Sequence, residues 1–260
     1  MDWYAGTSGF SYKPWKGSFY PADLPDGDML GYYAERLPAV EINNTFYRMP
    51  RSNVLESWAA AVPESFRFVI KASRRITHQL RLKDAAEPTA YLLAKLNVLG
   101  DKLGAVLFQL PPNLRCDPAR LETFLDLLPP QTPAAFEFRH PSWNDPQIHD
   151  LLRGAGAALC VAEADDDADT TEPELTVTAP WLYLRLRRAH YPPAAVRRWR
   201  ARGEASGAER GFVFFKHEDA GAGPALAQRF LELGAPRTAK APRAGPKKPP
   251  AATRKPVRRA

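Results

Sequence analysis

The segment GAVLFQL, residues 104–110, is short and apolar, as buried β-strands are. It is followed by PARLETFLDLL, residues 118–128, in which Leu121 and Phe124 recur at helical spacing. A second strand-like run, AAFEFRH, occupies residues 134–140. Strands that alternate with helices indicate parallel pairing, because the helix carries the chain back to the start of the next strand.

The same unit recurs along the chain. The predicted strands are Trp3–Thr7, Ala39–Phe46, Phe66–Ala72, Gly104–Leu110, Ala134–His140, Ala157–Glu163, Trp181–Arg187 and Gly211–His217. The predicted helices cover residues 28–37, 52–62, 88–101, 118–128, 145–154, 193–203 and 222–233. Residues 164–180 are acidic and broken by proline, so an irregular loop is predicted there. This order predicts an α/β fold, a single (β/α)8 TIM-type barrel. A doubly wound open sheet is the alternative, although no GxGxxG follows the first strand.

Basic charge is concentrated at the C-terminal end. The chain contains 36 Lys and Arg against 29 Asp and Glu, and residues 237–260 contain nine of the basic residues and no acid. Residues 1–236, the predicted barrel domain, therefore carry a net charge of −2. The tail has no aromatic residue and almost no large aliphatic one, which predicts disorder. It could bind nucleic acid non-specifically through counterion release, or serve only to solubilise the protein.

Composition excludes several classes of protein. A hydrophobic content of 45% with 25% charged residues is typical of globular domains. No run approaches the roughly 18 apolar residues of a membrane helix, and residues 1–4 do not resemble a signal peptide, so a cytoplasmic protein without membrane contact is expected. Cys116 and Cys160 cannot form a disulfide framework and lack zinc-site spacing.

Several predicted strands alternate polar and apolar residues. Because helices cover the apolar face of a barrel strand, the polar residues should point into the barrel, and many lie near the C-terminal strand ends where barrel active sites form. The candidate site comprises Glu41, Asn43, Thr45, Lys71, Gln109, Glu137, Arg139 and Arg185, with His78 and His140 in adjoining loops.

Two interpretations of this set remain open. In the first, Lys71, Arg139 and Arg185 bind a phosphate or carboxylate while Glu41 or Glu137 transfers a proton. Lys71 and His78 then complete the catalytic set, and the ligand-binding set is Asn43, Thr45, Gln109, Arg139, His140 and Arg185. In the second, the charges form a buried ion-pair network that fills the barrel. The first is favoured because barrels usually fill themselves with Val, Ile and Leu.

No motif predicts a cofactor, since the sequence lacks a P-loop and zinc-ligand spacing. A divalent metal held by Glu137, Glu163, His140 and His217 is a weaker alternative. The acidic run from Asp165 to Asp169 is interpreted as a solvated loop. An aromatic cluster after the first two strands predicts either a pocket wall or packing of long loops. Its members are Phe10, Tyr12, Trp15, Phe19, Tyr20, Phe46 and Tyr47.

The sequence resembles the YecE-like family, also called domain of unknown function 72. The motifs that carry the resemblance are Gly6–Phe10, Val40–Arg48, Ile76–His78, Leu103–Pro112, Phe136–His140 and Tyr183–Leu186. The resemblance implies a TIM-type barrel and a site at its mouth, but no reaction. Arg187 and Arg188 after the seventh strand, and Lys216–Asp219 after the eighth, depart from the family pattern, which implies a different substrate preference.

Two classes of function follow. The first is an enzyme of hydrolase, lyase or isomerase type that acts on a small anionic or sugar-like molecule. The second is a nucleic-acid-associated protein that binds the strand through residues 237–260 and a phosphate or nucleotide at the barrel mouth.

Overall fold

The computed structural model describes residues 1–163, 172–188, 190–216 and 221–234. Eight strands pair in chain order, every pair is parallel, and the first strand closes on the eighth. The predicted (β/α)8 TIM-type barrel is therefore confirmed. The basic tail 237–260, the acidic run 165–169 and His217 lie outside the described residues.

The elements alternate as the sequence predicts. The strands are β1 (Asp2–Ser8), β2 (Ala39–Ile42), β3 (Arg67–Lys71), β4 (Leu103–Gln109), β5 (Ala134–Glu137), β6 (Ala158–Ala162), β7 (Trp181–Leu186) and β8 (Arg210–Phe215). The helices are α1 (Met29–Ala34), α2 (Ser52–Ala60), α3 (Ala86–Leu96), α4 (Pro118–Leu125), α5 (Pro146–Gly154), α6 (Pro193–Glu204) and α7 (Ala222–Glu232). Residues 172–180, the described part of the sixth connection, contain no helix.

Local sequence explains where the helices begin. The side chain of Asp117 accepts a hydrogen bond from the Arg120 amide at the start of α4, and Asp145 accepts one from the Gln147 amide at the start of α5. A proline follows each of these N-caps, at a position where a missing N–H is harmless.

Two strands, β2 and β5, end three or more residues earlier than predicted. A 3-10 turn at Asn44–Phe46 follows β2, and another at Pro141–Trp143 follows β5. The β-rich composition of both stretches led to predicted strand ends at Phe46 and His140. The observed ends at Ile42 and Glu137 change the position of several predicted site residues.

The barrel interior is filled in layers. Its lower part is packed with small and aromatic residues, which are Ala39, Val69, Ala105, Leu107, Ala135, Ala158, Cys160, Trp181, Tyr183, Phe212 and Phe214. A larger apolar cluster lies between the outer face of the sheet and the helices. The polar residues of the same inward alternation therefore form the last layer, at the C-terminal ends of the strands. No helix within the described ranges is long and apolar enough to cross a membrane.

Candidate functional site

The uppermost inward layer of the barrel is polar and charged. It consists of Ser8, Glu41, Lys71, Gln109, Glu137 and Arg185. Each of these residues lies two positions after another inward-facing residue of the same strand. Ser8 is paired with Glu41 on the neighbouring strand, and Gln109 is paired with Glu137. Five of these six are residues that the alternation predicted.

Glu41 is fully buried and accepts four hydrogen bonds. Its Oε1 accepts from Ser8 Oγ at 2.8 Å, from Asn43 Nδ2 at 2.9 Å and from Arg185 Nη2 at 2.8 Å. Its Oε2 accepts from the Tyr183 hydroxyl at 2.6 Å. This carboxylate is held in one position by groups from β1 and β7 and by Asn43 just beyond its own strand.

Arg185 joins the two buried carboxylates. Its Nη1 donates to Glu137 Oε2 at 2.6 Å, and Gln109 Nε2 donates to Glu137 Oε1 at 2.7 Å. Two carboxylates and one guanidinium leave this network with a formal charge of −1. Within the described part of the chain, Arg185 Nε and Asn43 Oδ1 are buried without hydrogen-bond partners.

The environment of Glu41 keeps it ionised. Burial raises the pKa of its carboxyl group, but Arg185, Tyr183 and Asn43 together outweigh burial and lower the pKa to about 2. A carboxylate with so low a pKa is a weak base at neutral pH. The geometry therefore favours an electrostatic role for Glu41 over the predicted proton transfer.

Lys71 differs from the other charged groups of the layer. It is partly buried, and among the described residues its Nζ has no hydrogen-bond or ion-pair partner. The amine lies 4.4 Å from the ring centroid of Phe46. Burial, followed by the charge of Arg185, lowers the pKa of Lys71 to about 8, although Glu41 and Glu137 oppose the shift. Lys71 is therefore a group whose proton exchanges near neutral pH.

Cations surround His78 beside Lys71. His78 lies in a π-helical turn at Arg75–Gln79, its Nδ1 is 2.9 Å from Thr77 Oγ1, and its ring packs edge-on against Phe46 at 4.8 Å. Burial lowers the pKa of His78, and the positive charges of four residues lower it further. These residues are Lys71, Arg139, Arg74 and Arg81. Such a concentration of positive charge favours an anion.

Thr45 does not face the barrel. Because β2 ends at Ile42, Thr45 lies in the following turn, where its buried Oγ1 is 3.0 Å from the Ile42 carbonyl oxygen and 2.8 Å from that of Lys71. Its hydroxyl joins the ends of β2 and β3, so its predicted place in the inward-facing set is wrong. Asn43 also lies past β2, but its Nδ2 reaches back to Glu41.

Arg139 and His140 lie outside the barrel because β5 ends at Glu137. The prediction that Arg139 projects into the barrel above Glu137 is wrong, since Arg139 is exposed. His140 Nδ1 accepts a hydrogen bond from the Ser142 amide at 3.1 Å and caps the 3-10 turn. Both residues line a cleft of about 530 Å³ between the ends of β5 and β6.

The aromatic cluster divides into two parts. Trp15 and Tyr20 are buried in the main apolar cluster, as loop packing predicts. Phe10 and Tyr12 line a second cleft of about 400 Å³ together with Trp58, and Asn43 forms its polar edge. The cluster thus supplies both loop packing and a pocket wall.

Two hydrogen-bond donors to Glu41 were absent from the predicted site. Tyr183 lies two residues before Arg185 on β7, so both side chains face the barrel interior. This spacing could have identified Tyr183 from the sequence. Ser8 ends β1 two residues after Gly6, but β1 gave no alternation of polar and apolar residues.

Glu163 belongs to a different cluster from Glu137. Its carboxylate accepts hydrogen bonds from the Tyr191 hydroxyl and from Trp199 Nε1, and Arg188 Nη2 is 3.1 Å from its Oε1. In the described ranges, no group of three or more His, Cys, Asp and Glu side chains is placed to hold a metal ion.

Comparison with known proteins gives consistent matches. The family described as "Protein of unknown function DUF72" matches residues 4–252. The UPF0759 protein YunF of Bacillus subtilis is 30% identical over 142 residues, which cover 51% of this chain and 50% of that protein. The UPF0759 protein YecE of Escherichia coli K12 is 33% identical over 116 residues, which cover 44% of this chain and 42% of that protein. The chain thus spans about half the length of the curated relatives it matches.

Solved structures are similar over most of the chain. A DUF72 family protein from Thermotoga maritima has a TM-score of 0.78 and 24% identity, covering 90% of this chain and 99% of that one. A DUF72 family protein from Enterococcus faecalis has a TM-score of 0.74 and 21% identity, covering 89% and 94%. At these identities the likeness shows the fold alone.

Proposed function

The chain belongs to the DUF72 family of proteins of unknown function, and for this member we propose an enzyme that binds a small anionic or sugar-like substrate at the C-terminal mouth of the barrel. The proposed reaction is an acid/base conversion of hydrolase, lyase or isomerase type. Lys71 carries the proton in this proposal, and the cations near His78 hold the anionic group of the substrate.

The observation that carries the proposal is the state of the Lys71 amine. The Lys71 side chain is partly buried against Phe46, yet its amine has no hydrogen bond or ion pair to another described residue, which leaves the amine free to contact a bound molecule. Its pKa of about 8 lies near the operating pH, where a general acid or base is most effective. The amine is therefore suited to exchange a proton with a bound molecule.

The buried network behind Lys71 supports this role by fixing the local charge. Glu41 and Glu137 are both held by Arg185, so their positions change little during a reaction. Fixed charges stabilise charge that develops in a transition state without reorganising.

The substrate class is inferred from two features, the cations near His78 and a cleft that Asn43 lines. Arg139 is exposed and contributes positive charge at His78, which suits a phosphate or carboxylate. The cleft lined by Phe10, Tyr12 and Trp58 offers an apolar wall beside a polar amide, a combination that suits a sugar ring. A phosphorylated or carboxylated sugar satisfies both features.

Calorimetric titration with inorganic phosphate and glucose 6-phosphate tests the proposal. Lys71→Met should weaken binding of both by roughly tenfold or more, because a charge-assisted contact contributes about 1.5–3 kcal/mol. Lys95→Met is the matched control, since Lys95 is also partly buried and its Nζ already donates to Ser52 Oγ. A panel of sugar phosphates followed by NMR should then reveal one that is converted by the wild-type protein and not by Lys71→Met. Equal phosphate affinity in all three proteins would contradict the proposed anion site.

A further inference from the structure

We propose that Lys71 Nζ is a nucleophile that forms an imine with an aldehyde or ketone carrying a phosphate or carboxylate. The proposal rests on the proposed function, because the same mouth supplies the anion site. It adds a covalent step and a substrate class, a carbonyl compound with an anionic group.

The first argument is that Lys71 differs from the other partly or fully buried lysines. Lys16 pairs with Asp26 at 2.8 Å, Lys95 donates to Ser52 at 3.0 Å, and the buried Lys102 donates to two backbone carbonyl groups and pairs with Glu64. Lys216 also has an interaction partner. Among Lys16, Lys71, Lys95 and Lys102, Lys71 is the one whose amine has no hydrogen bond or ion pair within the described ranges to break before it attacks a carbonyl carbon.

The second argument is that a neutral amine is accessible. Only the neutral amine has the lone pair that attacks a carbonyl carbon. With a pKa of about 8, about one Lys71 amine in ten is neutral at pH 7, whereas an ordinary lysine is neutral in fewer than about one in a thousand. Burial and the charge of Arg185 therefore raise the concentration of the nucleophile by more than about a hundredfold.

The third argument is that the step balances without a redox partner and that two carboxylates act on its cationic product. Attack by Nζ forms a C–N bond while the carbonyl π electrons move to oxygen, which takes up a proton and gives a carbinolamine. Loss of that hydroxyl as water forms the C=N bond, so amine and carbonyl give imine and water with no change of oxidation state. The protonated imine is a cation, and the charges of Glu41 and Glu137 partly offset the burial and the charge of Arg185, which disfavour a cation at Lys71.

An imine at this position narrows the reaction class. A protonated imine withdraws electrons from the neighbouring C–C or C–H bond, which is the requirement of a lyase or an isomerase. Arg139 and the cations around His78 would hold the phosphate or carboxylate of the same molecule.

Trapping with a carbonyl probe tests the proposal. The full chain is incubated with pyridoxal 5′-phosphate and sodium cyanoborohydride, which reduces an imine to a stable amine, and each lysine is quantified by peptide mass spectrometry. Lys71 should be labelled at least tenfold faster than the exposed Lys83, with a rate that rises through pH 8. Pyridoxal without the phosphate should label Lys71 several-fold more slowly. Lys71→Arg should lose this adduct, whereas Lys95→Arg should retain it.

The outcomes separate the two proposals. Labelling of Lys71 no faster than that of Lys83 would overturn the imine proposal, even if the wild-type protein binds inorganic phosphate. Failure of the wild-type protein to bind phosphate would instead overturn the proposed anion site. If pyridoxal labels Lys71 as rapidly as pyridoxal 5′-phosphate does, the result would support Lys71 as a nucleophile and contradict a substrate that carries an anionic group.

Discussion

Arg185 on β7 and Glu41 on β2 form an ion pair across the barrel, with Arg185 Nη2 at 2.8 Å from Glu41 Oε1 and both side chains buried. The two residues are 144 positions apart in the chain, so only closure of the barrel brings them together. Arg185 also holds Glu137, and its single charge is shared by two carboxylates. The stability of the mouth therefore depends on this one guanidinium group.

Arg185→Met should lower the free energy of unfolding by about 3–5 kcal/mol, because it leaves Glu41 and Glu137 buried without a counter-charge. Chemical denaturation measures the change. The control is Arg198→Met, which removes an exposed partner of Glu172 and should change stability by less than about 1 kcal/mol. Equal effects of the two substitutions would show that the buried network is not what stabilises the mouth.

Arg139→Ala should leave the unfolding midpoint unchanged, because the side chain is exposed beyond the end of β5. It should weaken phosphate binding by roughly tenfold or more, since the guanidinium group is one of the cations near His78. Calorimetry and thermal unfolding on the same preparations separate the two effects. A destabilised variant with unchanged phosphate affinity would assign Arg139 to the fold.

Much of the fold was predictable because its determinants are local. Apolar strands separated by amphipathic helices recur in the sequence, and parallel pairing follows from that order. The inward direction of Glu41, Lys71, Gln109, Glu137 and Arg185 was likewise predictable, because alternation along a strand has a period of two.

The rest of the site depends on interactions that are distant in sequence or on exact strand ends. The hydrogen bond from Tyr183 to Glu41 spans 142 positions, and the inward position of Tyr183 on its strand does not by itself identify Glu41 as its partner. Thr45 and Arg139 were placed wrongly because β2 and β5 end before them. The alternation of inward-facing and outward-facing side chains stops where the turn begins. Among the described residues Lys71 has no hydrogen-bond or ion-pair partner, and this is a property of the assembled barrel, not of its neighbours in the chain.

The free energy of unfolding should fall as the pH decreases from about 4.5 to 2. The pKa of Glu41 is lowered from 4.5 to about 2 in the folded protein. As the pH falls between these two values, the Glu41 carboxylate is protonated in the unfolded chain but not in the folded protein, so protonation favours the unfolded chain. A difference of about 2.5 pKa units corresponds to about 3 kcal/mol, which is fully present above the unfolded pKa. Tyr183→Phe removes one donor to Glu41 and should reduce the dependence on pH. Denaturation between pH 2 and 6 checks this, and identical slopes in the two proteins would be inconsistent with it.

Removal of residues 237–260 should leave the thermal midpoint unchanged and abolish most retention on DNA at low salt, because these residues carry nine positive charges and no acid. Affinity chromatography over a salt gradient measures the retention. Replacing the nine basic residues of the tail with Gln is the control that keeps its length. If the shortened chain is retained as strongly as the full chain, DNA binding belongs to residues 1–236.

The pKa of His78 should rise when phosphate binds. Burial and the charges of Lys71, Arg139, Arg74 and Arg81 hold this pKa below its ordinary value. A bound anion offsets those charges and therefore favours the protonated ring. NMR titration of the His78 imidazole signals, with and without phosphate, measures the shift.

Two comparisons separate this effect from a general salt effect. The ring of the exposed His190 should respond much less to phosphate. Arg139→Ala should raise the pKa of His78 in the absence of phosphate, because one cation is removed, and should reduce the further rise on adding it. A His78 pKa that is unchanged by phosphate in the wild-type protein would place the anion elsewhere on the molecule, since an anion bound among these cations must alter the titration of the ring that they surround.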